Sequence, residues 1–184
     1  MSILIQKAII FATLKHKDQK RKGTDIPYIV HPMEVMQILT EMNCSENVII
    51  AGILHDTLED TDTTPEEIRK EFNQDVRYYV EAESEDKSKT WKERKGETIR
   101  RVETMNYEDL YTKGLIAFAD KLSNLRAMYR DKMQVGEKLW DRFNADKDSI
   151  KWYYSSIYNI FERNFSNKKQ VSEFRDLLIE VFEK

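Results

Sequence analysis

His55 and Asp56 end an apolar run, Val48-Ile49-Ile50-Ala51-Gly52-Ile53-Leu54, and are followed by Thr57-Leu58-Glu59-Asp60-Thr61-Asp62. If one helix continues through this stretch, His55 and Glu59 stand four residues apart, as do Asp56 and Asp60. All four then line neighbouring stripes of one face. Three carboxylates at a helix C-terminus oppose the macrodipole, each unfavourably by about 0.3–1 kcal/mol when solvated. A bound cation removes that penalty, whereas a solvated acidic helix end keeps it. Imidazole nitrogen beside carboxylate oxygen suits a borderline divalent ion such as manganese, iron or zinc.

Two further residues extend the set. His31 precedes Pro32, and proline disfavours helix at the residue before it, which places His31 at a helix entrance with its side chain fixed. Asp120 interrupts the apolar sequence Leu115-Ile116-Ala117-Phe118-Ala119. A carboxylate inside such a helix is costly unless it is ion-paired, hydrogen-bonded or bound to a metal. His31, His55, Asp56 and Asp120 make a donor set of two nitrogens and two oxygens on three helices, although their spacing is that of no compact metal motif. The third histidine, His16, reads as a residue behind the ligands or at the surface.

The elements that must position these side chains are helical. Five glycines and three prolines in 184 residues, with 34% charged and 40% hydrophobic positions, imply an all-α chain of one domain, residues 1–184. Helices are expected over residues 2 to about 18, ended by Gly23 after the basic segment 15–22, then from Pro32 to about Met42 and from Glu46 onward. Thr64-Pro65-Glu66-Glu67 is a capping signal for a helix ending near Phe72, another helix runs from Gln74 to Glu83, and Thr90 caps one reaching about Thr104. Ser84 to Thr90 is a polar loop, and Lys87, Lys89, Trp91 and Arg94 read as a solvated loop in preference to a lid over phosphates. Long helices follow over roughly 107–130 and 136–164, and a last one carries Phe174, Leu177, Leu178, Val181 and Phe182. The aromatic residues of the C-terminal third recur at helical spacing and read as core.

Net charge is −3, without the broad positive face that nucleic acid requires. No apolar run approaches the length of about 20 residues needed to span a membrane. The N-terminus has no signal-peptide pattern and Cys44 stands alone. The expectation is a soluble protein of the reducing cytoplasm.

The ordered segments Gln19-Lys20-Arg21-Lys22, Pro27-Tyr28-Ile29-Val30-His31-Pro32, Ala51 to Thr61 and Ala119 to Arg126 resemble HD-domain phosphohydrolases. More closely they resemble the (p)ppGpp hydrolase domain of RelA/SpoT homologues, particularly the stand-alone small alarmone hydrolases. The resemblance implies an HD-domain helical bundle of about eight to ten helices and one metal ion, usually manganese, held by His31, His55, Asp56 and Asp120. It implies that Glu59 and Asp60 assist hydrolysis, and that Arg21, Lys22 and Asn124 contact a small-molecule nucleotide. The reaction removes pyrophosphate from the 3′ position of the alarmone of the stringent response. Ala127 stands where such hydrolases commonly carry threonine, and their Val-Thr-Lys element is missing after the fifth helix. The same metal centre would serve a phosphatase on another nucleotide, such as the 2′-phosphate of NADPH. A silent nucleotide-binding module is the rival outside enzymes, and it would have no use for the Glu59-Asp60 pair.

Overall fold

The structure, a computed structural model, describes residues 2–84 and 86–184; Met1 and Glu85, the latter in the loop expected after Glu83, lie outside the described residues. Among the described residues eleven α-helical segments form, nine of them of seven residues or more. Among the described residues no strand forms, as expected of an all-α chain. Contacts group the chain into two compact units, Met1–Glu85 with Tyr107–Asp120, and Asp86–Asn106 with Lys121–Lys184.

The first unit begins with α1 (Ile3–Lys15), where Ser2 Oγ accepts from the Leu4 amide. This helix stops three residues short of the expected end because His16 closes it, donating its own N–H to Ala12 O. Gly23, expected to end the helix, lies farther on in a loop and adopts φ 73°, a conformation few side chains tolerate. The loop is fastened at its base by an antiparallel bridge between Lys20 and Pro27 and by Arg21 N–H donating to Ile26 O at 2.8 Å. It leads into α2 (Val30–Glu41), which takes in His31 as its second residue and Pro32 as its third, where a missing N–H costs nothing.

α3 (Glu46–Leu54) is buried along its whole length from Val48 to Leu54. It packs on α2 through Gly52: a Cβ there would meet Leu39 Cδ1 well inside contact distance and Val35 Cγ1 at 3.2 Å. The single helix considered for residues 46–62 is interrupted. Asp56 sits at φ −90°, ψ −6°, and the buried Thr57 hydroxyl donates to Leu54 O at 2.7 Å, satisfying the end of α3. A separate one-turn helix, α4 (Thr57–Asp60), follows. The carboxylates of Glu59 and Asp60 therefore do not crowd the C-terminus of α3, and the macrodipole penalty expected there does not arise.

α5 (Pro65–Glu71) starts at Thr64, which accepts from Glu67 N–H, and α6 (Gln74–Glu81) at Asn73, which accepts from Val76 N–H. The unit closes with α8 (Tyr107–Asp109), a π-helical turn over Leu110–Gly114, and the start of α9 (Leu115–Val135). The π turn replaces the regular helix expected there.

The second unit holds α7 (Trp91–Glu103), capped by a full capping box between Thr90 and Glu93, and the remainder of α9. The helix expected over 136–164 is two elements. A 3-10 stretch runs over Gly136–Arg142, and α10 (Lys147–Phe165) starts afresh at Asp146, which accepts from Ser149 N–H. α11 (Lys169–Phe182) is tied to α9 by Arg126, whose guanidinium donates to both Glu173 oxygens at 2.7 and 2.8 Å. Tyr153, Tyr154, Phe161, Phe165 and Phe174 are buried and form core, as their spacing predicts, whereas Trp152 is exposed and Trp140, Phe143 and Tyr158 are half-buried. Among the described residues no helix is long and apolar enough to cross a membrane.

Candidate metal centre

His31 comes from the first turn of α2, His55 and Asp56 from the break between α3 and α4, and Asp120 from α9. His31 is 3% exposed, His55 2% and Asp120 7%. The Nε2 atoms of His31 and His55 lie 3.2 Å apart. Asp120 Oδ1 is 3.2 Å from His31 Nε2 and 3.8 Å from His55 Nε2. Asp56 Oδ2 is 2.9 Å from His55 Nε2 and 3.5 Å from His31 Nε2. One ion bound at ordinary lengths of about 2.0–2.2 Å sets its donors about 3.0–3.5 Å apart, a spacing that the donor atoms of His31, His55 and Asp56 approach. His31, His55 and Asp56 alone already form a metal-capable cluster.

The helix break is what makes this possible. Asp56 precedes α4 at the N-cap position, but its carboxylate makes no cap bond and turns instead toward the histidines. His55 Nδ1 donates to Gly52 O at 2.8 Å, which fixes the ring and points Nε2 at the other donors. Gly52 thus serves twice, by admitting α2 and by orienting a ligand.

Among the three residues His31, His55 and Asp56, the electrostatics favour a proton on His55. Burial pulls the His55 imidazole down, but the charge and hydrogen bond of Asp56 and the charge of Asp120 outweigh it and leave its pKa at about 9. Burial dominates at His31 and holds that imidazole below its ordinary value. Burial also works against ionised Asp56, yet His55 and His31 hold its carboxyl well below the usual range.

Glu59 and Asp60 lie on α4 directly after the ligands, Glu59 half-buried and Asp60 exposed. Arg21 and Lys22 lie in the loop before α2, the Arg21 guanidinium 5.6 Å above the Tyr28 ring. Asn124 follows Asp120 by four residues on α9 and falls in the second unit.

Two residues around the centre, Tyr28 and Gln19, escaped the sequence reading, and they join His16, expected behind the ligands or at the surface. The Tyr28 hydroxyl donates to Asp56 Oδ2 at 2.6 Å and lies 3.5 Å from Asp60 Oδ2. Burial and then the Asp56 charge push this phenol far above its ordinary pKa, so it remains a donor. Gln19 Nε2 donates to the Asp60 carbonyl at 2.5 Å, and Gln19 Oε1 lies 2.7 Å from His16 Nδ1. His16 is only 2% exposed, and its ring packs on Tyr28 with centroids 4.8 Å apart. His16 Nε2 is buried without a hydrogen-bond partner among the described residues. Leaving such an atom unpaired costs about 1–3 kcal/mol. The signal available was Tyr28 three residues before His31 and Gln19 three after His16, a pattern many loops share.

Comparison with known proteins bears on the same residues. The HD domain family model matches residues 8–150. A Xenopus tropicalis protein, guanosine-3′,5′-bis(diphosphate) 3′-pyrophosphohydrolase MESH1, is 43% identical over 131 residues, covering 69% of this chain and 70% of that protein. An Aquifex aeolicus guanosine-3′,5′-bis(diphosphate) 3′-pyrophosphohydrolase is 33% identical over 180 residues, 98% of this chain, which spans only 25% of its length. A solved structure described as a metazoan ortholog of SpoT that hydrolyses ppGpp superposes with a TM-score of 0.74 at 27% identity, covering 97% of this chain and 95% of that one. With its helical bundle, its buried histidine–aspartate cluster and these relatives, the chain belongs to the HD-domain family of phosphohydrolases.

Proposed function

We propose that this chain hydrolyses (p)ppGpp at the 3′-pyrophosphate, giving GDP or GTP and pyrophosphate, with one manganese ion held by His31, His55, Asp56 and Asp120. The observation that carries this reading is the convergence of those four donor atoms beside the turn that bears Glu59 and Asp60. The naming of the Xenopus and Aquifex relatives supports the substrate. Two nitrogens and two hard oxygens suit manganese. Held by these side chains, such an ion would supply Lewis-acid charge at the phosphoryl group and lower the pKa of a water.

The chain's own residues do the rest. Glu59 and Asp60 orient the water that attacks the phosphorus next to the ribose, accept its proton and return a proton to the departing 3′-oxygen of GDP or GTP. Arg21 stacks on the base and Lys22 pairs with phosphate charge, while Asn124 contacts the nucleotide. Lone Cys44 and the absence of a membrane-length helix among the described residues fit a cytoplasmic enzyme.

Purified protein with manganese, offered a panel of nucleotides that includes ppGpp and NADPH, tests the substrate. Release of pyrophosphate from ppGpp is the expected result, and its absence refutes the reading. Glu59→Gln and Asp60→Asn should each lower kcat by about 10²–10⁴-fold while manganese still binds. Undiminished turnover in both variants would remove the pair from the mechanism.

A further inference from the structure

We propose that Tyr28 and the pair His16–Gln19 are positioning residues for this centre, Tyr28 acting on Asp56 and the pair acting on the turn that carries Glu59 and Asp60. The roles rest on the reading of the site given above. Tyr28 has one hydroxyl proton and directs it at Asp56 Oδ2, the oxygen that faces His55 Nε2 at 2.9 Å. That bond fixes which carboxylate oxygen is aimed at the metal position. Partners of this kind, behind a ligand, govern metal affinity by about 10–100-fold.

α4 is four residues long, too short to hold itself, since a single turn fixes several dihedrals for one hydrogen bond. Its terminal carbonyl at Asp60 needs a donor from elsewhere, and Gln19 Nε2 supplies it at 2.5 Å. Gln19 can do so only with its oxygen turned the other way, and His16 enforces that orientation by presenting Nδ1–H to Oε1 at 2.7 Å. The buried Nε2 of His16 has no hydrogen-bond partner among the described residues, so imidazole is a poor choice for packing alone. Phenylalanine would fill the same place without an orphaned nitrogen. What imidazole adds is the Nδ1–H.

The brace also has a reach. Gln19 and Tyr28 are the two feet of the loop that carries Arg21 and Lys22, joined by Tyr28 N–H donating to Gln19 O at 2.9 Å. Gln19 binds α4 from one foot and Tyr28 binds Asp56 from the other. One loop thus holds the substrate-contact residues in fixed register with both the metal ligand and the catalytic turn.

Three variants separate these roles. Tyr28→Phe should bind manganese at least tenfold more weakly by calorimetric titration of the metal-free protein. Gln19→Leu and His16→Phe should keep native manganese affinity but exchange the amides of residues 58–61 at least tenfold faster. Their ppGpp hydrolysis should fall in kcat and not in KM. His16→Phe should do this with Tm at or above the parent value, which a merely structural histidine would not. Native manganese affinity in Tyr28→Phe, together with native exchange in Gln19→Leu and His16→Phe, overturns the proposal. Titration and exchange use no nucleotide, so they decide these roles even if ppGpp proves not to be the substrate.

Discussion

His55 has two ring nitrogens with different tasks, Nδ1 bound to Gly52 O and Nε2 facing Asp56 and Asp120. Its pKa rises from 6.5 to about 9 in the metal-free fold, so the proton on Nε2 stabilises that fold below the unfolded value. The stabilisation is lost as pH climbs through about 9. A metal needs this nitrogen bare, which reverses the sign for the loaded protein. Manganese affinity should therefore rise with pH between 6.5 and 9, by up to roughly tenfold per unit, with about one proton released per ion. Titration calorimetry in buffers of different ionisation enthalpy measures that proton directly; binding with no proton released at pH 7 would contradict the assignment of His55. The four metal-ligand candidates were legible in the sequence because only three histidines occur and because Asp120 breaks an apolar run. Tyr28 and Gln19 were not, since their partners become visible only once the chain is known to break at Asp56.

At the scale of elements, the interruption between α3 and α4 does what an unbroken helix could not. It turns Asp56 back onto His55 and places Glu59 and Asp60 on a separate turn. Apolar periodicity ran up to Leu54 without marking the break, because the buried hydroxyl of Thr57 that ends α3 looks in sequence like one more helical residue. Asp146 with Ser149 is a cap signal that the apolar spacing on either side concealed, whereas the caps expected at Thr64 and Thr90 both form. At Gly52 α3 meets α2 with no room for a Cβ. In Gly52→Ala, overpacking against Leu39 and Val35 costs about 1–3 kcal/mol, offset by up to about 1 kcal/mol of helix propensity. A net loss of about 1–2 kcal/mol in urea unfolding is expected, with weaker manganese binding because Gly52 O orients His55. Unchanged stability would mean that Leu39 shifts freely. Asp146→Ala should cost about 1 kcal/mol through the lost cap and leave metal binding alone.

At the scale of the whole molecule, composition sufficed for the helical class, and the order of the motifs sufficed for the family. The grouping into two units left no trace, because no proline- or glycine-rich linker marks the crossings and one of them falls inside α9. All four proposed ligands lie in the first unit, yet they span His31 to Asp120 along the chain. An ion that joins them binds only the folded protein, because the unfolded chain cannot hold these donors together. Free manganese at a hundred times its Kd then adds about 2.7 kcal/mol to stability. For a chain of this length that corresponds to a rise in Tm of roughly 5–10 °C. Differential scanning calorimetry with EDTA and then with graded manganese should show the shift growing with the logarithm of free metal. Asp120→Asn removes one ionised donor, so its metal-free transition should stay close to the parent value while the manganese-dependent rise shrinks or disappears. If the parent and Asp120→Asn shift alike, the ion binds elsewhere, and Asp120 is then a buried hydrogen-bonded carboxylate of the core.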